Sequence, residues 1–528
     1  MRTLITNAFL ADGENLSTEP KDVLIEGQTI AHIARAGTLG ARLGEHHVNA
    51  DGRMLAPGFI DTHAHADHSP LRTEDDTSKI LQGVTTEVNG NCGFSMAPIN
   101  ELHSDDFNSL VERIFPPQEC TWSDYSSYVG ALEEGEFVTN FASLIGHNTI
   151  RVAAMGAEDR DPSKAEMATM ERLVDEALEM GVAGLSTGLI YPPGVFSSSE
   201  EITRLAKRLP PNAVYASHMR NESRYLSESV RETLAIAESA GTKCHISHLK
   251  MADRRQPGKL AEVLAEIDSN RVQGVRVTQD IYPYTAASTM LAALLPPWMH
   301  DGGSRVLLDR LNSPELVQAA SRQIGDPQST FENYGLQAGW DNVVIASTGS
   351  HRFEGQSIES LSHSLRLDPV STVASILREE NLKATMIVHA MNESDVETAL
   401  RHPLTMIGTD GLPVGTGGRP HPRGYGSFPR VLDHYVRQQS VISLADAVRK
   451  MTALPADVFG LVNRGRIRVG HVADLVLFDP ATVVDNATFT QPTLAPLGID
   501  EVLVSGEHVV ENGQWMGRRA GKYIAAQH

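Results

Sequence analysis

The feature that most constrains this chain is a recurring unit: a short apolar strand that ends in polar, chemically reactive residues and gives way to an amphipathic helix. GFIDTHAHAD opens the series, and GVTTEVNGNCG, NFASLIGHN, AGLSTGLIY, AVYASHMRN, KCHISHLKM, RVTQDIYPY, MIVHAM and MIGTDG continue it. Helical stretches such as Lys164–Met180 and Ser227–Ser239, with apolar residues three or four apart, fall between several of them. Strand and helix alternating across residues 57–464 imply parallel βαβ units. An open doubly wound sheet binds at one switch point and has no use for reactive residues at so many strand ends. A (β/α)₈ TIM-type barrel does, because its active site gathers at the C-terminal ends of its strands. The α/β barrel is the expected fold.

The two ends of the chain read differently. Residues 1–56 carry apolar runs at Leu4–Ile5, Val23–Ile25 and Ile30–Ile33, with turn signals at Asp12-Gly13 and Glu26-Gly27. The texture returns over 465–528 in ADLVLFDP and EVLVSGEHVVENG, where Ser505-Gly506 sits as a hairpin turn between apolar runs. One small β-sandwich built from both termini is expected; two separate β appendages are the alternative. Residues 286–343 break the strand–helix rhythm with ALLPPWMHDGG and a helical stretch through SPELVQAASRQIGD. They read as an insertion between barrel strands that covers the active site.

Charge and cysteine usage narrow the function. Acidic residues outnumber basic ones, 66 to 45, for a formal charge of -21, which disfavours nucleic acid and anionic membrane as partners. Three cysteines, Cys92, Cys120 and Cys244, do not make a disulfide framework and suit a reducing compartment. The N-terminus lacks a continuous apolar targeting segment and no apolar run is long enough to span a bilayer, so the cytoplasm is the expected location.

The sharpest chemical signal is His63-Ala64-His65. Residues i and i+2 of an extended strand share a face, so both imidazoles can converge on one ion. Asp67 and His68 follow closely and are read as lying behind the ligands or at the surface. Cys92 ends the next unit, where a thiolate would be a strong soft ligand. His218 and His248 occupy equivalent positions on two later units, and Asp410 ends the last. Histidine and thiolate donors suit zinc better than magnesium or calcium. An aspartate at the last strand end can accept a proton from an activated water. Cys244 reads as core, His245 as pointing inward, and His147 and His389 as pocket residues.

GFIDTHAHAD, the late TDG and the block MTALPADVFGLVNRGRIRVGHVADLVLFDP resemble the amidohydrolase superfamily. GVTTEVNGNCGFSMAP, STGLIYPPG, SHMRNES, ISHLK, QDIYPYTA and PHPRGYGSFPRVLDHYVR resemble, more narrowly, its N-acyl-D-amino-acid deacylases, from about Leu4 to Gly513. The resemblance implies zinc-dependent hydrolysis of the amide of an N-acyl-D-amino acid. It implies a tight zinc site of Cys92, His218 and His248, and a second, weaker position contacted by His63 and His65 with Cys92 able to bridge. It makes Asp410 the general acid/base, Tyr191 a donor to the scissile carbonyl, and Lys250, Tyr282 and Arg423 the holders of the substrate carboxylate. Many amidohydrolases bridge two metals with a carboxylated lysine; Cys92 stands on the corresponding strand, which favours the deacylases over dihydroorotase-like or hydantoinase-like members. One zinc or two remains open. Cyclic amide hydrolysis, nucleobase deamination and a non-catalytic barrel scaffold are the competing readings, and oligomeric state is not indicated.

Overall fold

A computed structural model describes residues 2–40, 45–115, 118–412 and 418–528. Its centre is a ring of eight parallel strands: Phe59–Asp61, Val84–Asn89, Asn140–Ser143 continued by Ile145–Gly146, Gly184–Gly188, Val214–His218, Lys243–Ile246, Val277–Ile281 and Thr405–Ile407. The seam closes where the Thr62 amide reaches the Ile407 carbonyl at 3.5 Å and Ala64 bridges Gly411. Nearly every residue of these strands is buried, as a sheet covered on both faces requires. The helix Lys164–Glu179 shows how the covering layer is specified. Ser163 and Glu166 form a reciprocal capping box, and Met167, Met170, Leu173, Val174 and Ala177 make one buried stripe.

Both chain ends enter one sheet. Met54–Pro57 pairs in parallel with Arg2–Leu10 on one side and antiparallel with Leu475–Phe478 on the other, and Ile499–Val504 and Glu507–Glu511 extend it. Alternation along Leu475–Phe478 joins the two bodies. Leu475 and Leu477 pack with Ile5, Val23 and Leu55, whereas Val476 and Phe478 face the barrel, where Phe59 stacks at 5.6 Å on Phe428 and tilts at 6.0 Å against Phe478.

The inserted layer is larger than expected. Ala384–Val388, the MIVHAM segment read as a barrel strand, instead pairs antiparallel with both Ala287–Met290 and Val343–Thr348. This small sheet shares an apolar cluster with the helices Gly303–Leu311, Pro314–Ile324 and Pro369–Glu379. A short, mostly apolar run looks alike in either kind of sheet, which is why its neighbours could not be read from it. We propose 1–56 with 465–528 as the sandwich, 57–464 as the barrel segment, and 287–390 as the layer inserted into it.

Candidate active site at the barrel mouth

Cys92 follows the second barrel strand, His218 ends the fifth, and His248 lies just past the sixth. The structure brings them together. Cys92 Sγ is 3.5 Å from His218 Nδ1 and 3.5 Å from His248 Nε2, and those two nitrogens are 2.9 Å apart. Zinc held tetrahedrally by nitrogen and sulfur at about 2.0–2.3 Å would separate its donors by about 3.3–3.6 Å. The sulfur distances match that spacing, and the nitrogen pair would open slightly, so these residues could hold a zinc ion. Burial pulls both imidazoles well below their ordinary range, leaving them in the neutral, ligating form. Cys92, His248 and Asp410 adopt left-handed backbone, with φ of 54°, 36° and 48°. Non-glycine residues rarely sit there, and strain of this kind concentrates where side chains must be aimed. Gly188, in the STGLIYPPG motif, permits the close approach of the Cys92 loop: a Cβ there would lie 1.9 Å from the Cys92 carbonyl oxygen.

A second group adjoins the first and shares Cys92. His63 Nε2 lies 3.2 Å from Cys92 Sγ, His65 Nε2 lies 3.2 Å from Asp410 Oδ1, and donor atoms of His63, His65, Cys92 and Asp410 all fall within 4.8 Å of one another. The first strand ends at Asp61 and the chain bends at Thr62 and His63, but the Ala64 amide bonds the Val88 carbonyl and the two imidazoles lie side by side, their centroids 5.3 Å apart. Burial lowers the affinity of His63 for a proton, yet Cys92, Asp280 and Asp410 outweigh it and hold this imidazole well above its usual range.

Motif reading missed two carboxylates behind the donors. Asp280 Oδ2 accepts from His245 Nε2 at 2.6 Å and lies 3.4 Å from His63 Nδ1, while its Oδ1 accepts the His248 amide. Glu222, fully buried, places Oε1 at 2.9 Å from His248 Nδ1 and 2.6 Å from Lys250 Nζ, and Oε2 at 3.5 Å from His218 Nε2. A carboxylate behind an imidazole keeps the proton on the far nitrogen and frees the near one to ligate. Glu222 follows His218 by four residues in SHMRNES, so the rule that a ligating histidine wants such a partner was the available signal. Glu222→Gln is therefore expected to weaken zinc binding about 10–100-fold, read by competition with a chelator. Unchanged affinity would reduce Glu222 to a partner of Lys250 alone.

Asp410 sits between the donors and a cationic pair. Its Oδ2 lies 2.8 Å from Arg423 Nη1. Burial would raise its carboxyl, but Arg423 and His63 hold it well below the usual carboxylate range. The ring of Tyr282 is flanked by Lys250 Nζ at 5.7 Å and by the Arg423 guanidinium at 4.6 Å. Arg423 Nη2 donates to the Ser288 carbonyl, and Tyr191 Oη lies 2.8 Å from Thr289 Oγ1 with its ring edge toward His218. Ser288 and Thr289 come from the inserted sheet, which thus packs against the site.

Other expectations fare differently. Asp67 and His68 are both buried, not surface groups: Asp67 accepts the Gly90 amide and is pushed up to about 8 by burial, and His68 packs on Phe115. His147 bonds Glu201 at 2.8 Å beside Arg151, a buried structural pair, and His389 packs against Phe489. Cys244 is core and His245 points inward, as expected.

The amidohydrolase family model matches residues 47–290 and 317–510. An N-acyl-D-glutamate deacylase of Alcaligenes xylosoxydans xylosoxydans is 37% identical over 95% of this chain and 92% of its own length. A D-aminoacylase of the same organism is 35% identical over 99% of this chain and 97% of its own. Among solved structures, the N-acyl-D-glutamate deacylase of Bordetella bronchiseptica, complexed with zinc and a phosphonate mimic of the reaction's tetrahedral intermediate, superimposes with a TM-score of 0.83 at 33% identity over 99% of both chains. Likeness of that extent, in sequence and in three dimensions, places the chain in the amidohydrolase family, among its N-acyl-D-amino-acid deacylases.

Proposed function

We propose that this chain is a zinc-dependent deacylase that cleaves the amide bond of N-acyl-D-amino acids, releasing a carboxylate and a free D-amino acid. The observation that carries the reading is the position of Asp410, which touches His65 on one oxygen and Arg423 on the other. Cys92, His218 and His248 would hold one zinc tightly, and His63 and His65, with Cys92 between, would serve a weaker second position. Bound zinc supplies Lewis acidity, lowering the pKa of a water from about 15.7 towards about 7. Asp410, ionised throughout the neutral range, takes a proton from the attacking water and returns it to the leaving amine. The Tyr191 hydroxyl, 2.8 Å from Thr289 Oγ1, would donate to the developing oxyanion. Lys250, Tyr282 and Arg423 hold the substrate carboxylate, and arginine offers it a planar fork of donors. A cyclic amide or a nucleobase would leave that cationic pair without a partner. The D configuration rests on the relatives.

Hydrolysis of N-acetyl-D- and N-acetyl-L-amino acids, compared across side-chain charge, tests the reading. Turnover of the L series alone would overturn it. Arg423→Met is expected to raise KM for carboxylate-bearing substrates about 10–100-fold, and for a neutral amide much less, since a hydrogen bond to a charged group is worth about 1.5–3 kcal/mol. Equal effects on both would dismiss the anchor. Among the described residues no helix is long and apolar enough to cross a membrane, and all three cysteines are free. The free thiols support the cytoplasm as the working compartment.

A further inference from the structure

Away from the barrel, donor side chains converge a second time, in the sandwich. His46 opens the strand His46–Asn49, which pairs with Arg2–Leu10; His508 and Glu511 belong to Glu507–Glu511, which pairs with Ile499–Val504. The two strands thus come from opposite ends of the chain and have their ladders elsewhere. One ligand atom from each of His46, His508 and Glu511 lies within 4.8 Å of the other two, and the imidazole centroids are 4.1 Å apart.

The arrangement around His508 points to a ligand. This side chain is 1% exposed; its Nδ1 lies 3.3 Å from Glu501 Oε2, whereas its buried Nε2 has no hydrogen-bond partner. A carboxylate at Nδ1 keeps the proton there and turns the Nε2 lone pair outward, as behind metal-bound histidines. Glu501 is itself fixed, its Oε1 accepting the Asn512 amide at 3.2 Å. One cation competes. Arg518 Nη1 lies 3.5 Å from Glu511 Oε1 and donates to the His508 carbonyl, but its side chain is 43% exposed and can turn to solvent. The carboxylates of Glu501 and Glu511 leave the pocket net acidic.

The geometry points to a divalent cation site formed by His46, His508 and Glu511, distinct from the barrel site and clasping the N-terminal segment of the sandwich to the C-terminal one. Two imidazoles and one carboxylate suit zinc, cobalt or nickel better than magnesium or calcium, with water completing the coordination. The test uses the full chain with its barrel metal in place, dialysed against micromolar zinc and then assayed for metal content, thermal midpoint and hydrolysis. Wild type is expected to carry one zinc more than His46→Ala or Glu511→Gln, and to gain in thermal midpoint on zinc addition where the variants do not. Hydrolysis should be the same in all three. Equal zinc content in wild type and variants would overturn the site. Should His46→Ala fail to fold, Glu511→Gln, a near-isosteric change on a half-buried side chain, decides alone: an unchanged zinc count and midpoint there overturns it equally.

Discussion

Asp410→Asn should retain zinc and lose turnover by about 10²–10⁴-fold, the usual worth of a positioned acid–base group. The two halves of this expectation have separate structural grounds. Zinc is retained because the triangle of Cys92, His218 and His248 does not include Asp410. Turnover is lost because an amide cannot take up a proton and return it to the leaving amine, although it fills the same space. Arg423 and His63 hold the Asp410 carboxyl well below the usual range against the cost of burial. The acid limb that Asp410 itself contributes to the wild-type profile should therefore lie below the ordinary carboxylate value of about 3.9. Arg423→Met removes the larger of those two influences and should move that limb to higher pH. Zinc content and kcat measured on one preparation check the substitution, and near-normal kcat would take Asp410 out of the mechanism.

The donors were legible in the sequence because each stands where a strand hands over to a loop, and a strand end is a local property. His63, His65, Cys92, His218, His248 and Asp410 could all be picked from such positions, and the structure draws them to one mouth. What stayed hidden depends on distances across the barrel. Glu222 and Asp280 gain their meaning from lying behind histidines on neighbouring strands, and the Arg423–Asp410 contact joins the first residue of the helix Arg423–Arg430 to a distant strand end. The inserted sheet stayed hidden for another reason. Ala384–Val388 is apolar but for Thr385, and such a run says that a strand is buried but not which strands flank it. The burial of Asp67 and His68 belongs to the same class, since polar residues after a strand look exposed until the Gly90 and Phe115 segments are seen to close over them.

Cys92→Ala should release the metal altogether, and the reason is its shared position. The sulfur stands 3.5 Å from both His218 and His248 and 3.2 Å from His63, so it alone belongs to both donor groups. Even a carboxylate behind a ligand is worth about 10–100-fold in metal affinity. Removing a thiolate, which is itself one of three donors, must cost more, and stoichiometric zinc should not survive dialysis. The neutral imidazoles left facing the cavity would lack the thiolate's negative charge and hold the ion too weakly to keep it, so activity should vanish with the zinc. Cys92→Asp is the informative companion, because a carboxylate oxygen ligates zinc at about 2.0–2.2 Å and should recover part of the metal. Circular dichroism and thermal midpoints of the metal-free forms separate a lost ligand from a lost fold; Cys92 packs in the barrel core and its removal opens only a small cavity. A folded Cys92→Ala protein that still carried one zinc per chain would mean that the histidines alone define the site, and the sulfur would have to be explained as packing.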